Sequence, residues 1–381
     1  MLSLVIKRLG MMLFGIMIAW IMVEVFLRVG YDALPRDAQS ILQHVRRVPW
    51  DEEKLVPPFP YILSREHQAM VAPGHKNYPV HWGDAKFTFD TISLWDMPVG
   101  FRTREPQWPV QIVALGDSFT FCWTDFDDCW AERLHNDYGY SVMNLGVPGT
   151  GTLAHQSLIE PYVKPLEPKV IIWQWYGNDF KDDYDLDKMR GNVQPLPEPP
   201  QPETSPDYGT FAEYSTVYRL IRDWWYKQDH PVDDHGFVTT VNGRQVFFTD
   251  ELGANDFGYA SVEHGWQRGI ATLLEVQQLA QEELDAEIVI LIIPTKEEIY
   301  APEELDDDFL RKMSEGRLRL RSICEENHWH CVDMFDTFQE AVKSGKTVYH
   351  AFDFHLDASG NQLVAEALAQ YLKAHEDINF E

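Results

Sequence analysis

The chain has 381 residues, 45% of them hydrophobic, and a formal net charge of -28. That length allows one large α/β domain with insertions, or two domains, around a sizeable core. The acidic balance repels nucleic acid and anionic membrane surfaces, which excludes a nucleic-acid-binding protein and leaves the fold open.

The N-terminus departs from this average. Leu9 to Leu27 is nineteen residues with one charge, Glu24, preceded by Lys7 and Arg8 and followed by Arg28. That length approaches a bilayer span, and no Ala-x-Ala-like site follows, so the expectation is a retained anchor over 1–29 rather than a cleaved signal. Lys7 and Arg8 favour the N-terminus inside, whereas Arg28, Arg36, Arg46 and Arg47 pull the other way. Residues 30–107, rich in proline and aromatics and without a clear period, read as a stalk running into a peripheral layer.

An alternation then begins. Val110–Leu115 is strand-like, Asp127–Gly139 helical, Tyr140–Gly149 a second strand with turn residues, and Thr152–Leu166 a helix broken by Pro161. Lys169–Asp179 holds a third, unusually aromatic strand. The alternation stops over 181–258, which reads as an insertion, a candidate cap. It contains the proline-rich Gln194–Pro206, which suits an extended surface segment, the amphipathic helix Tyr214–Lys227, and a hairpin over Phe237–Thr249 turning at Asn242-Gly243. It resumes with a long helix, Val262–Leu284, the apolar strand Glu287–Pro294, a helical stretch Asp306–Asn327, the short strand Cys331–Phe335 and a last helix Asp357–His375. Strands alternating with helices predict a parallel sheet with helices on both faces and a ligand crevice at the carboxyl ends of the strands.

Polar residues collect at those ends. The first strand delivers Gly116-Asp117-Ser118, the second Asn144 to Gly149, the third Gly177-Asn178-Asp179. Asp353-Phe354-His355 stands just before the last helix. A serine becomes a nucleophile when a base removes its proton, and histidine oriented by a carboxylate does this near neutral pH. The candidate catalytic residues are therefore Ser118, His355 and Asp353. The negative oxygen of a tetrahedral intermediate needs fixed donors; the N–H groups of Ser118 and Gly149 and the amide of Asn178 are the candidates. Asp117 and Asp179 read as turn and loop residues, Trp173, Trp175 and Tyr176 as core, and His350 as a rival base lacking the following helix entry.

In order and type, "GDSFTF", "NLGVPGTGT", "GND" and "DFHLDASGNQLVAEAL" resemble the blocks of the SGNH (GDSL-type) hydrolase superfamily, over roughly residues 108–375. The resemblance implies a flavodoxin-like α/β/α domain over 108–381 and serine ester chemistry without cofactor or metal. One position departs: the family places its Asp three residues before the His, where this chain has Phe352. The short Asp353–His355 spacing, and "PTKEEIY" at Pro294–Tyr300, are similar to the alginate O-acetyltransferase branch. Hydrolysis of a short-chain or carbohydrate-borne acetyl ester is the leading reading. O-acyl transfer onto an exported polysaccharide, beside a membrane-bound acyltransferase partner, is the alternative, and a non-catalytic binding protein a third. Lys296 and Tyr300 read otherwise as surface residues at a strand exit.

The cysteines form two local pairs, Cys122/Cys129 and Cys324/Cys331, each seven residues apart. That spacing suits two small disulfide loops, which persist outside the cytosol, so the catalytic domain is expected to be extracytoplasmic; four reduced thiols are the alternative. Cys324, His328, His330 and Cys331 also suggest zinc, but lie crowded within eight residues, whereas a tetrahedral site joins two separated ligand pairs.

Overall fold

The computed structural model describes residues 2–30, 34, 42, 55–56, 61–199, 211, 214–229 and 236–375. The chain divides into two compact units, one of residues 1–59 with 203–234, the other of residues 60–202 with 235–381.

In the larger unit, five strands make one sheet: β1 (Ile112–Leu115), β2 (Val142–Asn144), β3 (Val170–Trp175), β4 (Glu287–Ile292) and β5 (His330–Asp333), in the order β5-β4-β3-β1-β2. Every pairing is parallel; Ile112 faces Val142 on one side and Val170 on the other. This is the flavodoxin-like 2-1-3-4-5 order, with its switch point between β1 and β3. All residues of β1 and β3 are buried, as expected of central strands covered on both faces.

The smaller unit contains α1 (Leu2–Val29). In the larger unit, α2 (Ser118–Phe121), α3 (Trp130–Tyr138), α4 (Thr152–Ser157) and α5 (Asp179–Arg190) follow. Next come α6 (Thr216–Asp229) in the smaller unit and α7 (Ala260–Leu279), α8 (Lys296–Tyr300), α9 (Asp307–Met313), α10 (Glu315–Asn327), α11 (Phe335–Lys343) and α12 (Ala358–Ala374) in the larger. Alternate strand residues feed two cores. Ile112, Ala114, Ile172 and Leu291 pack with Trp130, Phe338 and Leu368 of α3, α11 and α12. Val113, Leu115, Trp173 and Ile290 pack with Leu158, Leu273 and Leu320 on the other face. The two-residue period of the pleat thus makes three layers.

The segment read as an insertion, 181–258, is not one piece. Its first residues belong to α5, which starts at Asp179 directly behind β3. The sequence of α5, DFKDDYDLDKMR, hides the helix because carboxylates and a lysine are buried among its apolar residues Phe180, Tyr184 and Leu186. The hairpin appears as Gly236–Val241 paired with Arg244–Thr249, and Asn242 and Gly243 both take positive φ, as a type I′ turn demands. Helix α6 and residues 203–234 belong to the smaller unit. The stretch 30–107 likewise divides: its described part from residue 61 holds antiparallel hairpins of the larger unit, Tyr61–Ser64 with Gln68–Val71 and Tyr78–Trp82 with Ala85–Phe89.

The four cysteines form two disulfides, Cys122–Cys129 and Cys324–Cys331. The second closes the end of α10 onto β5 and takes both thiols from the zinc arrangement. Among the described residues no group of His, Cys, Asp and Glu stands ready to hold a metal ion.

Helix α5 rests on α7 at two glycines. A Cβ on Gly265 would stand 1.6 Å from the carbonyl oxygen of Phe180, which is backbone and cannot rotate away. Gly265→Ala should therefore destabilise the fold by about 1–3 kcal/mol despite alanine's better helix propensity. A lower denaturation midpoint in detergent would show it; an unchanged or higher midpoint would mean that the helices slide apart at no cost.

Candidate active site

Strand β1 ends at Leu115, and the chain turns through Gly116-Asp117 into α2, whose first residue is Ser118. The turn is held from three directions. The Asp117 carboxylate caps α2 by accepting from the Phe119 N–H at 2.8 Å. Gln174, buried inside β3, accepts from the Asp117 N–H at 3.1 Å and the Thr120 hydroxyl at 2.9 Å. Asn144, at the end of β2, donates to the Thr120 carbonyl at 2.6 Å. Downstream, the buried Arg102 guanidinium donates to the carbonyls of Phe121, Cys122 and Thr124. The Cys122–Cys129 disulfide ties the end of α2 to the start of α3.

Across 237 residues of sequence, His355 Nε2 stands 2.7 Å from Ser118 Oγ. Asp353 Oδ1 lies 2.7 Å from His355 Nδ1 and also accepts from the His355 backbone N–H at 2.8 Å. All three residues are buried. Trp123 and Phe354 stack on the imidazole at 4.5 and 4.2 Å between ring centroids. Burial pushes the Asp353 carboxyl up, but the adjacent His355 and its two hydrogen bonds outweigh this, and the group sits below the usual carboxylate range. It is therefore ionised at neutral pH, able to orient the imidazole and to stabilise an imidazolium.

The other sequence-predicted residues stand along the same sheet edge. Gly149 follows β2 and takes φ +70°, a left-handed conformation that favours glycine. Neither the Ser118 nor the Gly149 N–H donates to an acceptor among the described residues. Asn178 precedes α5, and its amide donates one hydrogen to Asp182 Oδ2 at 2.8 Å. The three candidate donors thus belong to the neighbouring strands β2, β1 and β3. His350 is turned elsewhere, its Nε2 on the Trp123 carbonyl at 2.9 Å. Asp179 is fully buried in α5, where burial holds its carboxyl well above the ordinary range.

Sequence reasoning did not reach the groups that shape the loop carrying Asp353 and His355. Lys296, read from sequence as a surface residue, is 1% exposed, and its ammonium donates to the carbonyls of Ala351 at 2.8 Å and Asp353 at 3.2 Å. Burial pulls its pKa down to about 8, against the charges of Glu297, Asp353 and Asp84. Tyr300 likewise turns inward, its hydroxyl oxygen accepting from the Val348 N–H at 3.1 Å. The "PTKEEIY" segment was visible in the sequence; its inward direction was not, because two of its seven residues are acidic and suggest solvent.

Asp84 carried no such signal. It stands after Gly83 in a hairpin turn some 270 residues away, and its carboxylate accepts from the N–H groups of Ala351 at 2.8 Å and Phe352 at 2.7 Å. Gly83 permits the approach, since a Cβ there would lie 2.3 Å from the Phe352 carbonyl oxygen. Arg244 of the second hairpin pairs with Asp84 at 2.9 Å, and Phe247 N–H donates to the Ala351 carbonyl at 2.8 Å. That hairpin, expected to cap the site, braces the histidine loop.

Asp117 is fully buried, and burial raises its pKa to about 6, opposed by the Phe119 N–H and by His355. A carboxyl whose folded value lies above its unfolded one adds stability at low pH and loses that contribution as pH rises through about 6. Asp117→Asn keeps the cap and removes the buried charge. Its stability relative to the parent should rise between pH 4 and pH 8 by about 3 kcal/mol. Urea midpoints of both proteins across that range would test this; a pH-independent difference would show that Asp117 does not ionise in this window.

No family model matches the chain, and no curated protein matches it. Solved structures similar to it include an acetyl xylan esterase, at 12% identity and TM-score 0.39, covering 68% of this chain and 98% of that one. A catalytic mutant of an acetylxylan esterase from Geobacillus stearothermophilus shows 14% identity and TM-score 0.39, covering 69% and 93%. A member of the lipolytic protein G-D-S-L family from Veillonella parvula shows 12% identity and TM-score 0.38, covering 70% and 99%.

Proposed function

We propose that the chain is a serine esterase of the SGNH type, with Ser118 as nucleophile, His355 as general base and Asp353 as its orienter. The observation that carries this is the unbroken relay from Asp353 Oδ1 through the imidazole to Ser118 Oγ, both links at 2.7 Å. Ser118 Oγ attacks the carbonyl carbon of an acyl ester while His355 Nε2 takes the hydroxyl proton. The N–H groups of Ser118 and Gly149, with the Asn178 amide, receive the oxyanion. The carbon–oxygen bond to the alcohol then breaks, and His355 returns the proton to the leaving oxygen. Water, activated by the same imidazole, attacks the acyl-enzyme and releases the acid.

A short acyl group such as acetyl, borne on a carbohydrate, is the substrate class of this proposal. Transfer of the same acyl group to a sugar hydroxyl differs only in the acceptor of the second step. The helix α1 includes Lys7–Val29, 23 residues long and apolar enough to cross a membrane. With the two disulfides, it supports a single-pass anchor carrying the catalytic unit in an extracytoplasmic space.

Incubation with p-nitrophenyl acetate followed by intact mass is the test. A transient acetyl adduct on Ser118 with sustained nitrophenol release is the expected result, and Ser118→Ala should lower release at least about a thousandfold. An adduct that persists until an oligosaccharide is added would identify a transferase. Release unchanged in the variant would remove Ser118 from the chemistry and favour a binding protein.

The histidine loop supplies a second prediction. Asp84 touches no reacting atom in this mechanism, so Asp84→Asn should leave KM near the parent value while kcat falls roughly tenfold to a hundredfold, the cost of a displaced catalytic group. Equal kcat in the variant would show that the loop keeps its shape without this carboxylate.

A further inference from the structure

The smaller unit, taken by itself, contains a contact that the ester chemistry does not use. Near the end of α1, the Glu24 carboxylate accepts from the backbone N–H groups of Thr216 at 2.8 Å and Val217 at 3.1 Å, and from the Ser215 hydroxyl at 3.0 Å. Arg28, one turn on, pairs with Glu24 and donates to the Tyr214 carbonyl, each at 2.7 Å. Glu24 therefore caps α6 in trans: a carboxylate from one helix satisfies the first amides of another and meets the positive end of its dipole. The single charge within the apolar run has a partner, which explains how it is tolerated there.

The contact is confined to the last turns of α1. Leu27 is buried and Glu24 partly so, whereas Leu13, Phe14, Ile16 and Met17 are each at least 51% exposed. Helix α6 thus meets α1 at its end and does not run back along it. At 1.5 Å per residue the 23 residues Lys7–Val29 span about 34 Å, slightly more than the ~30 Å hydrocarbon core. Centred on that core, the span places Glu24, five residues and about 8 Å from its end, about 5 Å below the hydrocarbon edge, within the ~5–10 Å that an interfacial helix reaches. Helix α6 starts at that depth.

Its side chains are sorted to match. On a helical wheel Val217, Leu220, Ile221, Trp224 and Trp225 share one face, and Arg219 and Arg222 stand opposite. The first part of the apolar face, Val217 and Leu220, packs on Leu27. Beyond the edge of α1 the same face continues without cover: Ile221 is 42% exposed, Trp224 59% and Trp225 60%. Tyr214, just before the helix, is 72% exposed. Two tryptophans and a tyrosine at the end of an apolar span are the composition of a membrane interface.

We infer that α6 is an interfacial helix, laying Ile221, Trp224 and Trp225 into the lipid surface beside the exit of α1. The occupant of this face is lipid, because the face is continuous with that of a helix whose apolar surface is bare for most of its length. The inference rests on the anchor reading above. It gives the protein a second membrane contact some 190 residues away in sequence, fixed to the first through Glu24. Helices α1 and α6 then form one membrane-seated platform.

The test uses the full chain in phosphatidylcholine nanodiscs, with a nitroxide placed singly at Met17→Cys, Arg222→Cys, Trp224→Cys or Trp225→Cys. Collision with oxygen, which concentrates in lipid, is compared with collision with a water-soluble nickel chelate. The ratio at positions 224 and 225 should exceed that at 222 by at least about threefold and approach that at 17. A ratio at 224 equal to that at 222, with 17 in lipid, would overturn the interfacial helix and leave the anchor standing. Position 17 in water would overturn the anchor and the inference together. Position 224 shielded from both reagents would mean a protein partner on this face and would overturn the lipid assignment.

Discussion

The hydrogen bond from His355 to Ser118 depends on a loop that has no regular structure of its own. Residues 350–355 lie between α11 and α12, joined to the sheet by neither strand nor helix, yet they must hold an imidazole within 2.7 Å of a hydroxyl on the far side of the switch point. Their backbone groups therefore find partners elsewhere. Asp84 takes the N–H groups of Ala351 and Phe352, and Lys296 and Phe247 share the Ala351 carbonyl. A buried backbone donor or acceptor left alone costs a few kcal/mol. Each of these partners thus excludes alternative loop shapes as well as favouring this one. The two hairpins, at residues 78–89 and 236–249, bring in Asp84 and Phe247, and α8 brings in Lys296.

The spacing of Asp353 and His355 follows from the same constraint. With two residues between carboxylate and imidazole, a helical turn or an open loop can aim one at the other. With one, the carboxylate must fold back over its own chain, and its Oδ1 does so by binding the His355 N–H and Nδ1 together. The tight turn pins the loop from inside while Asp84 and Lys296 pin it from outside. Lys296 adds a donor on the Asp353 carbonyl, while His355 and its hydrogen bonds hold the Asp353 carboxyl below the usual range despite its burial. The departure at Phe352 from the family's usual spacing thereby comes with its own supports in this chain.

The sheet and the grouping of the candidate site residues at its edge were legible because both follow from short-range rules. Apolar runs such as Val110–Leu115 and Glu287–Pro294 are long and β-branched enough to read as buried strands, and Ser118, Gly149 and Asn178 fall at strand ends where open parallel sheets place their ligands. The supports were illegible because they join distant segments through polar atoms. Nothing near Asp84 or Lys296 in the sequence marks a partner some 55 to 270 residues away. Helix α5 was missed for a related reason. Its buried positions hold Asp183 and Asp187, met by the Leu153 N–H and by Arg268, so hydrophobic periodicity, the main local signal, is absent.

Glu24 belongs with these residues. In the sequence it looks like a flaw in an otherwise apolar span, and in the structure it is bound to two backbone amides, a hydroxyl and a guanidinium. Asp84, Asp183 and Glu24 repeat one device at three places: a carboxylate takes backbone N–H groups of a distant segment. Such a bond needs backbone geometry and desolvation, not a complementary residue type. It therefore leaves little trace in composition or periodicity, while deciding where the histidine loop and two helix–helix contacts are placed.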